Sequence, residues 1–305
     1  MRSNPVQSPV SPVCHAARTR ATAVKPMSVP TSPESIMARA AAENFPVASR
    51  LLPSALRTHL LAIYGFARLA DEIGDEVSGD RLAALDWLSG ELERAFTDTA
   101  THQILRALAP TLAACELPRE PFERLIEANR VDQRVQSYET WSSLLGYCHL
   151  SADPVGELVL GVFGADSPER IALSNAVCTA LQLTEHWQDV REDLSRGRVY
   201  LPLEDLARHG CTIEELAAPR VSERLRAVLA LEAVRTAALF REGDALTASL
   251  RGWPRLAVAG YAGGGRAALD AIALADYEVL ALRPRPTRRR TLGAIVRVLV
   301  RAAGG

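Results

Sequence analysis

The chain has 305 residues and a formal net charge of −1, with apolar residues at 48% and aromatics at only 5%. A near-neutral charge supplies no global field for nucleic acid, and no zinc-finger, RRM or KH pattern occurs, so nucleic acid is not an expected partner. Five scattered cysteines without CxxC spacing argue against a disulfide framework or a structural zinc site and fit a reducing, cytoplasmic setting.

Residues 1–35 are rich in Pro, Ser and Thr and carry no acid before Glu34. Such a segment cannot bury enough apolar surface to offset its ordering entropy, which predicts disorder. Its Arg, Ser and lack of acids also match a transit peptide, although no apolar or amphipathic stretch supports one. From Ser35 to Leu282 apolar residues recur at helical spacing over 58–71, 81–96, 104–115, 121–135, 141–163, 169–194, 222–247 and 256–282, and strand signals are nearly absent. Breaks are predicted at Ser78 to Asp80, Pro110, Pro118 with Pro121, Gly164 to Pro168, Gly197, Gly210 and Gly252 to Pro254. A core of Ala, Leu and Val suits helix packing, so the main body, 36–282, reads as one all-α bundle. The uncharged run "IALSNAVCTALQLT" is shorter than the roughly 18 to 20 apolar residues of a membrane span, so no span is expected.

Residues 283–305 hold seven arginines and no acid. Leu292, Ile295, Val296 and Leu299 repeat at i, i+3, i+4, i+7, with Arg297 and Arg301 on another face. That is the pattern of a basic amphipathic helix lying on an anionic membrane; a solvated tail is the other reading.

Two acidic ladders stand out. In "AIYGFARLADEIGDE" a helix places Tyr64, Arg68, Asp71 and Asp75 on one stripe. In "LQLTEHWQDVREDLSRGRVYLP" Gln182, Glu185, Asp189 and Asp193 fall at relative positions 0, 3, 7 and 11. A lone DxxxD face is most often a solvated surface. The first ladder, however, leaves a run apolar on most faces, so its acids point into the bundle, where unpaired carboxylates are costly. Facing carboxylates are tolerable with hard cations between them, and oxygen-only ligands favour Mg²⁺. No calcium loop, HExxH or Glu-x-x-His pair offers another metal. Magnesium bridges carboxylates to phosphates, and no Walker or glycine-rich loop suggests a nucleotide, so a diphosphate on an apolar body is the implied ligand.

The ordered motifs resemble the squalene and phytoene synthases, head-to-head prenyl transferases with the isoprenoid-synthase helical fold, from about Glu43 to Leu282. "DEIGD" resembles the family's first aspartate-rich motif, "DVRED" followed by "RGRVYLP" its second, and "YCHLSADPVG" its YCxxVAGxVG. The resemblance implies that Asp71, Asp75, Asp189 and Asp193 bind Mg²⁺ that holds the diphosphate of a prenyl substrate, with Glu185 beside them. It implies that Arg68, Gln182, Gln188 and Arg198 contact substrate, that Tyr64 and Tyr147 lie near cationic intermediates, and that Phe45 is a pocket aromatic. Two departures matter: Glu185 stands where most members carry Asn, and Gln188 where an arginine usually precedes the second motif. By spacing alone Tyr147 reads as a core tyrosine, and the family motif reverses that reading; His149 and His186 read as packing or surface residues and Cys148 as a small buried hydrophobe.

"ENFPVAS", "SADPVG" and "WQDV" are similar to the HpnC-type, hopanoid-cluster subgroup. This implies conversion of presqualene diphosphate and water to hydroxysqualene and diphosphate without NADPH, with other hopanoid-pathway enzymes as partners; the basic tail, independently, predicts a cytoplasmic protein peripheral on the inner face of the membrane. The absence of a GxGxxG fingerprint agrees. The rivals are another head-to-head synthase, forming squalene, presqualene diphosphate, phytoene or dehydrosqualene, and a non-catalytic helical assembly protein of the same fold. Ser151, Ala152 and Asp153 replace the motif's Val-Ala-Gly and precede Pro154, which lacks an N–H and frees a carbonyl one turn back. Ser151 and Asp153 beside that kink would hold the water that captures the final cation; the other reading is a kink that only makes room, with Asp153 turned to solvent.

Overall fold

The computed structural model describes residues 52–304; the expected N-terminal extension and Phe45 lie outside them. Thirteen α-helices run in order among the described residues: α1 Ser54–Asp75, α2 Arg81–Phe96, α3 Gln103–Ala114, α4 Glu120–Asp132, α5 Trp141–Ser151, α6 Asp153–Val162, α7 Pro168–Gln188, α8 Val190–Ser195, α9 Leu203–Arg208, α10 Glu223–Glu242, α11 Asp244–Ser249, α12 Gly252–Leu274 and α13 Arg288–Gly304. No strand occurs among them, only an isolated parallel bridge between Ser137 and Val199. The all-α expectation therefore holds.

Two large apolar clusters, with a smaller one around Leu160, Leu246 and Val258, form the interior. One gathers Phe66 and Leu69 of α1 with Leu85, Leu108 and Phe122 of α2 to α4. The other gathers Leu183 and Trp187 of α7 with Val228 and Phe240 of α10. Helix α1 belongs to the first and α7 to the second, and residues of both helices that carry the acidic ladders line one cavity between the clusters.

The helices break more often than periodicity suggested, and each extra break has a cause. The expected helix 141–163 is two, α5 and α6, because Pro154 cannot donate the i→i−4 bond and is instead housed in the first turn of α6. The expected helix 169–194 pauses at Asp189 (φ −107°, ψ 14°). The expected helix 222–247 stops at Gly243, where a Cβ would lie 2.2 Å from Val177 Cγ2, so the close approach of α10 to α7 admits only glycine. Helix α12 ends at Leu274, short of the expected 282, because Asp276 and Tyr277 take left-handed φ of 52° and 59°. Conversely, Pro110 sits inside α3 instead of breaking it, and Pro254 falls in the first turn of α12, where its missing N–H costs nothing. Short α9 and a 3₁₀ turn at Ile213–Ala217 carry too few residues to show a period.

The last helix is packed against α12. Ala294 and Val298 are buried; of the stripe Leu292, Ile295, Val296 and Leu299 expected to face a membrane, Ile295 instead lies against Gly263. No helix of the described residues is long and apolar enough to cross a membrane.

A Cβ at Gly263 would come within 2.8 Å of the Ile295 Cα and N, whereas one at Gly260 meets nothing within 4 Å. Alanine gains roughly 0.5–1 kcal/mol over glycine in a helix interior. Gly260→Ala should therefore raise the denaturation midpoint, and Gly263→Ala should lower it, overpacking costing about 1–3 kcal/mol. Thermal denaturation of the two variants checks the contrast.

Candidate active site

Helices α1 and α7 turn from apolar to polar toward their C-terminal ends, and between them lies a cavity of about 260 Å³. Leu60, Ile63, Val177 and Leu181 line its apolar part, while Tyr64, Arg68 and Asp71 from α1 face it with Gln182 and Glu185 from α7. That volume is far more than one water needs, so the shape suits an extended apolar body with a charged end. Arg68 Nη1 is 3.5 Å from Asp71 Oδ2, and Arg68 Nε is buried without a hydrogen-bond partner.

One turn further along α1, Asp75 leaves the cavity lining and pairs with Arg198 at 2.7 Å. Arg198 is delivered by the backbone: Val199 N–H donates to Gln136 C=O at 2.7 Å and Leu203 N–H to Tyr138 C=O at 2.9 Å, which clips the "RGRVYLP" stretch alongside residues 136–138. Beside this pair sits Asp132, at the end of α4, accepting from the Tyr147 hydroxyl at 2.9 Å. Burial raises its pKa to about 6 despite the nearby Arg198. Tyr147 is buried in a ring cluster, with Tyr138 at 5.3 Å, Tyr200 at 5.7 Å and His186 at 6.3 Å; His186 stacks on Tyr200 at 3.6 Å. Burial pushes the tyrosine hydroxyls up, so all three remain protonated.

The second ladder is split by the helix break. Asp189 pairs with Arg283, and burial still raises its carboxyl to about 6, with Asp193 and Glu192 opposing the arginine. Gln188 is buried and donates to Pro284 C=O at 2.5 Å, while Arg191 donates to Leu280 C=O at 2.7 Å. Instead of contributing its own cation, Gln188 thus helps anchor the segment that brings Arg283 to Asp189. Asp193 lies 3.7 Å from His186 Nδ1.

Among the described residues no group of three or more His, Cys, Asp or Glu side chains is arranged to hold a metal. The donor chemistry nevertheless fits Mg²⁺, which takes one or two carboxylates and completes its shell with waters and phosphate oxygens. Asp132 Oδ1, Asp189 Oδ1 and Asp193 Oδ2 are buried without hydrogen-bond partners, the state in which a carboxylate oxygen is most in need of a cation.

At the kink, Ser151 faces the cavity and its Oγ is buried without a partner. Asp153 does not join it. Its oxygens are taken by the Thr179 hydroxyl at 2.8 Å and by His149 Nδ1 at 3.1 Å, and it is absent from the lining. The first turn of α6 directs that carboxylate toward α7 and the preceding turn of α5, neither to solvent nor to the cavity.

The cavity thus brings together Tyr64, Arg68, Asp71, Ser151, Gln182 and Glu185; Asp75, Tyr147, Asp189, Asp193 and Arg198 form the polar layer beyond it, and Asp153 and Gln188 are engaged elsewhere. The sequence reading missed Asp132, Tyr138, Tyr200 and Arg283. Asn129 and Asp132 repeat at i, i+3 on α4, and Asn129 lies 3.4 Å from Asp71, a faint signal in hindsight. Tyr200 lies within the second motif's tail. Arg283 carried no signal beyond its charge.

The family model described as squalene/phytoene synthase matches residues 38–291. The chain is 38% identical over 214 residues to a hydroxysqualene synthase of Rhodopseudomonas palustris, covering 68% of this chain and 72% of that one. It is 35% identical over 245 residues to a phytoene synthase of Thermus thermophilus, covering 80% and 84%. Among solved structures it is similar to the squalene synthase HpnC from Alicyclobacillus acidocaldarius, with a TM-score of 0.74 and 47% identity over 81% of this chain and 94% of that one. A dehydrosqualene synthase in complex with ligand, at 24% identity and TM-score 0.80 over 90% and 96%, shares the fold.

An acid whose folded pKa lies above its unfolded value binds more protons when folded, so stability falls as pH rises through the interval between the two. For Asp132 that interval runs from the ordinary aspartate value of 3.8 to about 6. Asp132→Asn should accordingly unfold later than the native chain at pH 7.5, with the advantage shrinking toward pH 4. Denaturation midpoints across that range test the sign.

Proposed function

Because the chain belongs to the squalene/phytoene synthase family and so acts on a prenyl diphosphate, we propose that it converts presqualene diphosphate and water to hydroxysqualene and diphosphate, with Mg²⁺. The observation that carries the reading is the cavity itself, apolar along its length, acidic at one end, with the unpartnered Ser151 hydroxyl in its wall. The likeness to hydroxysqualene synthases at 34–38% identity supports the choice of product.

Asp71 and Asp75 on one side and Glu185, Asp189 and Asp193 on the other would hold the metal, with Asp132 behind them. Bound Mg²⁺ would neutralise the leaving diphosphate. Arg68, whose Nε has no protein acceptor, donates to the diphosphate as the C–O bond breaks and both electrons stay on oxygen. Arg198 and Arg283 sit against the ladders and are placed to shift toward diphosphate oxygens. The apolar wall excludes bulk water, and Tyr64 lends a ring face to the cation. The tyrosine cluster around Tyr147 holds Asp132 in place. Ser151 Oγ holds one water, whose lone pair forms the new C–O bond and whose proton leaves with the diphosphate.

The second reading, another head-to-head synthase, draws on the phytoene synthase relative. Incubation with Mg²⁺ and either presqualene diphosphate or farnesyl diphosphate in ¹⁸O water, followed by mass spectrometry, separates the two. Labelled hydroxysqualene from presqualene diphosphate supports the proposal; unlabelled hydrocarbon alone would sink it.

Two substitutions sharpen it. Asp75→Asn or Asp189→Asn should cut turnover by roughly 10²–10³-fold, the usual scale for losing one electrostatic element of a site, with circular dichroism unchanged and with EDTA silencing the native enzyme. Ser151→Ala should lower the hydroxysqualene-to-hydrocarbon ratio by about tenfold, as expected for a lost hydrogen bond of about 1.5 kcal/mol, while diphosphate release continues. An unchanged ratio removes Ser151 from water capture.

A further inference from the structure

Helix α13 buries one face against α12 and leaves the opposite face bare. Leu292, Val296 and Val300, at i, i+4 and i+8, are 63%, 49% and 65% exposed. Single exposed apolar side chains are ordinary, but three in register on one helix form a continuous ridge. Next to it stand Arg285, Arg288, Arg289 and Arg290, all exposed and none paired with a carboxylate among the described residues. Arg297 and Arg301, by contrast, lean toward Asp270 at 3.9 Å and Asp244 at 3.7 Å. No acid follows Glu278 in a chain whose net charge is −1, so positive charge is concentrated where the ridge lies.

We propose that this face of α13 docks on an anionic lipid bilayer, Leu292, Val296 and Val300 entering the interface and Arg288, Arg289 and Arg290 contacting headgroups. The charge selects the occupant. A second copy of the chain would set arginine against arginine, because the helix offers no acid to answer them. A bilayer with anionic headgroups satisfies the apolar ridge and the unpaired cations together, which neither water nor a neutral surface does.

The ridge differs from the one periodicity marked. Ile295 is spent on Gly263, and Val300 takes its place, so the lipid-facing side is rotated away from the stripe read in sequence. The location is also telling. Helix α13 covers α11 and α12 from outside, and Leu246, Val258 and Tyr261 of those two helices line the cavity from inside. The docking face therefore lies one helix layer from the apolar cavity, a position suited to an apolar product; only this clause rests on the proposed function.

The test is co-sedimentation of the full chain, without substrate, with vesicles of phosphatidylcholine alone or containing about 30% phosphatidylglycerol. The native chain should bind the anionic vesicles and release in about 0.5 M salt. Arg288→Gln, Arg289→Gln and Arg290→Gln together should weaken binding roughly 100-fold, following from about 1 kcal/mol for each basic residue near the surface. Leu292→Ser, Val296→Ser and Val300→Ser together should weaken it at least tenfold with helix content unchanged. Failure of the native chain to bind anionic vesicles, unaltered binding by both triple variants, or a concentration-dependent dimer dispersed by the serine variant would each overturn the proposal. Because no turnover is measured, failure here leaves the proposed reaction standing, and failure of that reaction leaves the docking face standing.

Discussion

Carboxylates packed at the end of an apolar cavity are the constraint on which the rest of this structure depends. Removing such groups from water is costly, and the penalty is visible in Asp132 and Asp189, both held near a pKa of about 6. The fold answers with two guanidinium groups that come from far along the chain, Arg198 against Asp75 and Arg283 against Asp189. Neither arginine sits in a helix. Each is brought in by an irregular segment whose backbone is pinned, the first by the bridge to Ser137, the second by Gln188 and Arg191.

Those irregular segments exist because the helices stop where they do. Asp276 and Tyr277 in left-handed conformation end α12 and turn the chain back over α8. Gly197, with a φ of 78°, ends the turn after α8 and starts the stretch that carries Arg198. Had either helix continued, Asp75 or Asp189 would lose the arginine that answers it. Local backbone stops and global electrostatics are in this sense one requirement.

The kink at Pro154 belongs to the same logic. It divides α5 from α6, leaves the Ser151 hydroxyl on the cavity wall and turns Asp153 away to Thr179 and His149. One polar group at the apolar wall suits the water capture proposed above; a carboxyl turned in beside it would set a second polar, ionisable group next to the cation of that proposed reaction.

By itself the sequence determined the helical class, the position of most helices, the two ladders and their family, because these depend on local periodicity and on motifs whose spacing is set by 3.6 residues per turn. Tyr64, Arg68, Asp71, Gln182 and Glu185 could be placed on shared faces from that period alone. Only the tertiary structure decided which groups answer those acids: Asp132 on a third helix, the tyrosine and histidine rings around Tyr147, and Arg283 lying 94 residues beyond the carboxylate it meets. It also decided that Ile295 turns inward while Val300 turns out. Such pairings span distant parts of the chain and are chosen by burial, where an unpaired charge costs more than any local propensity can offset, so no short window of sequence contains them.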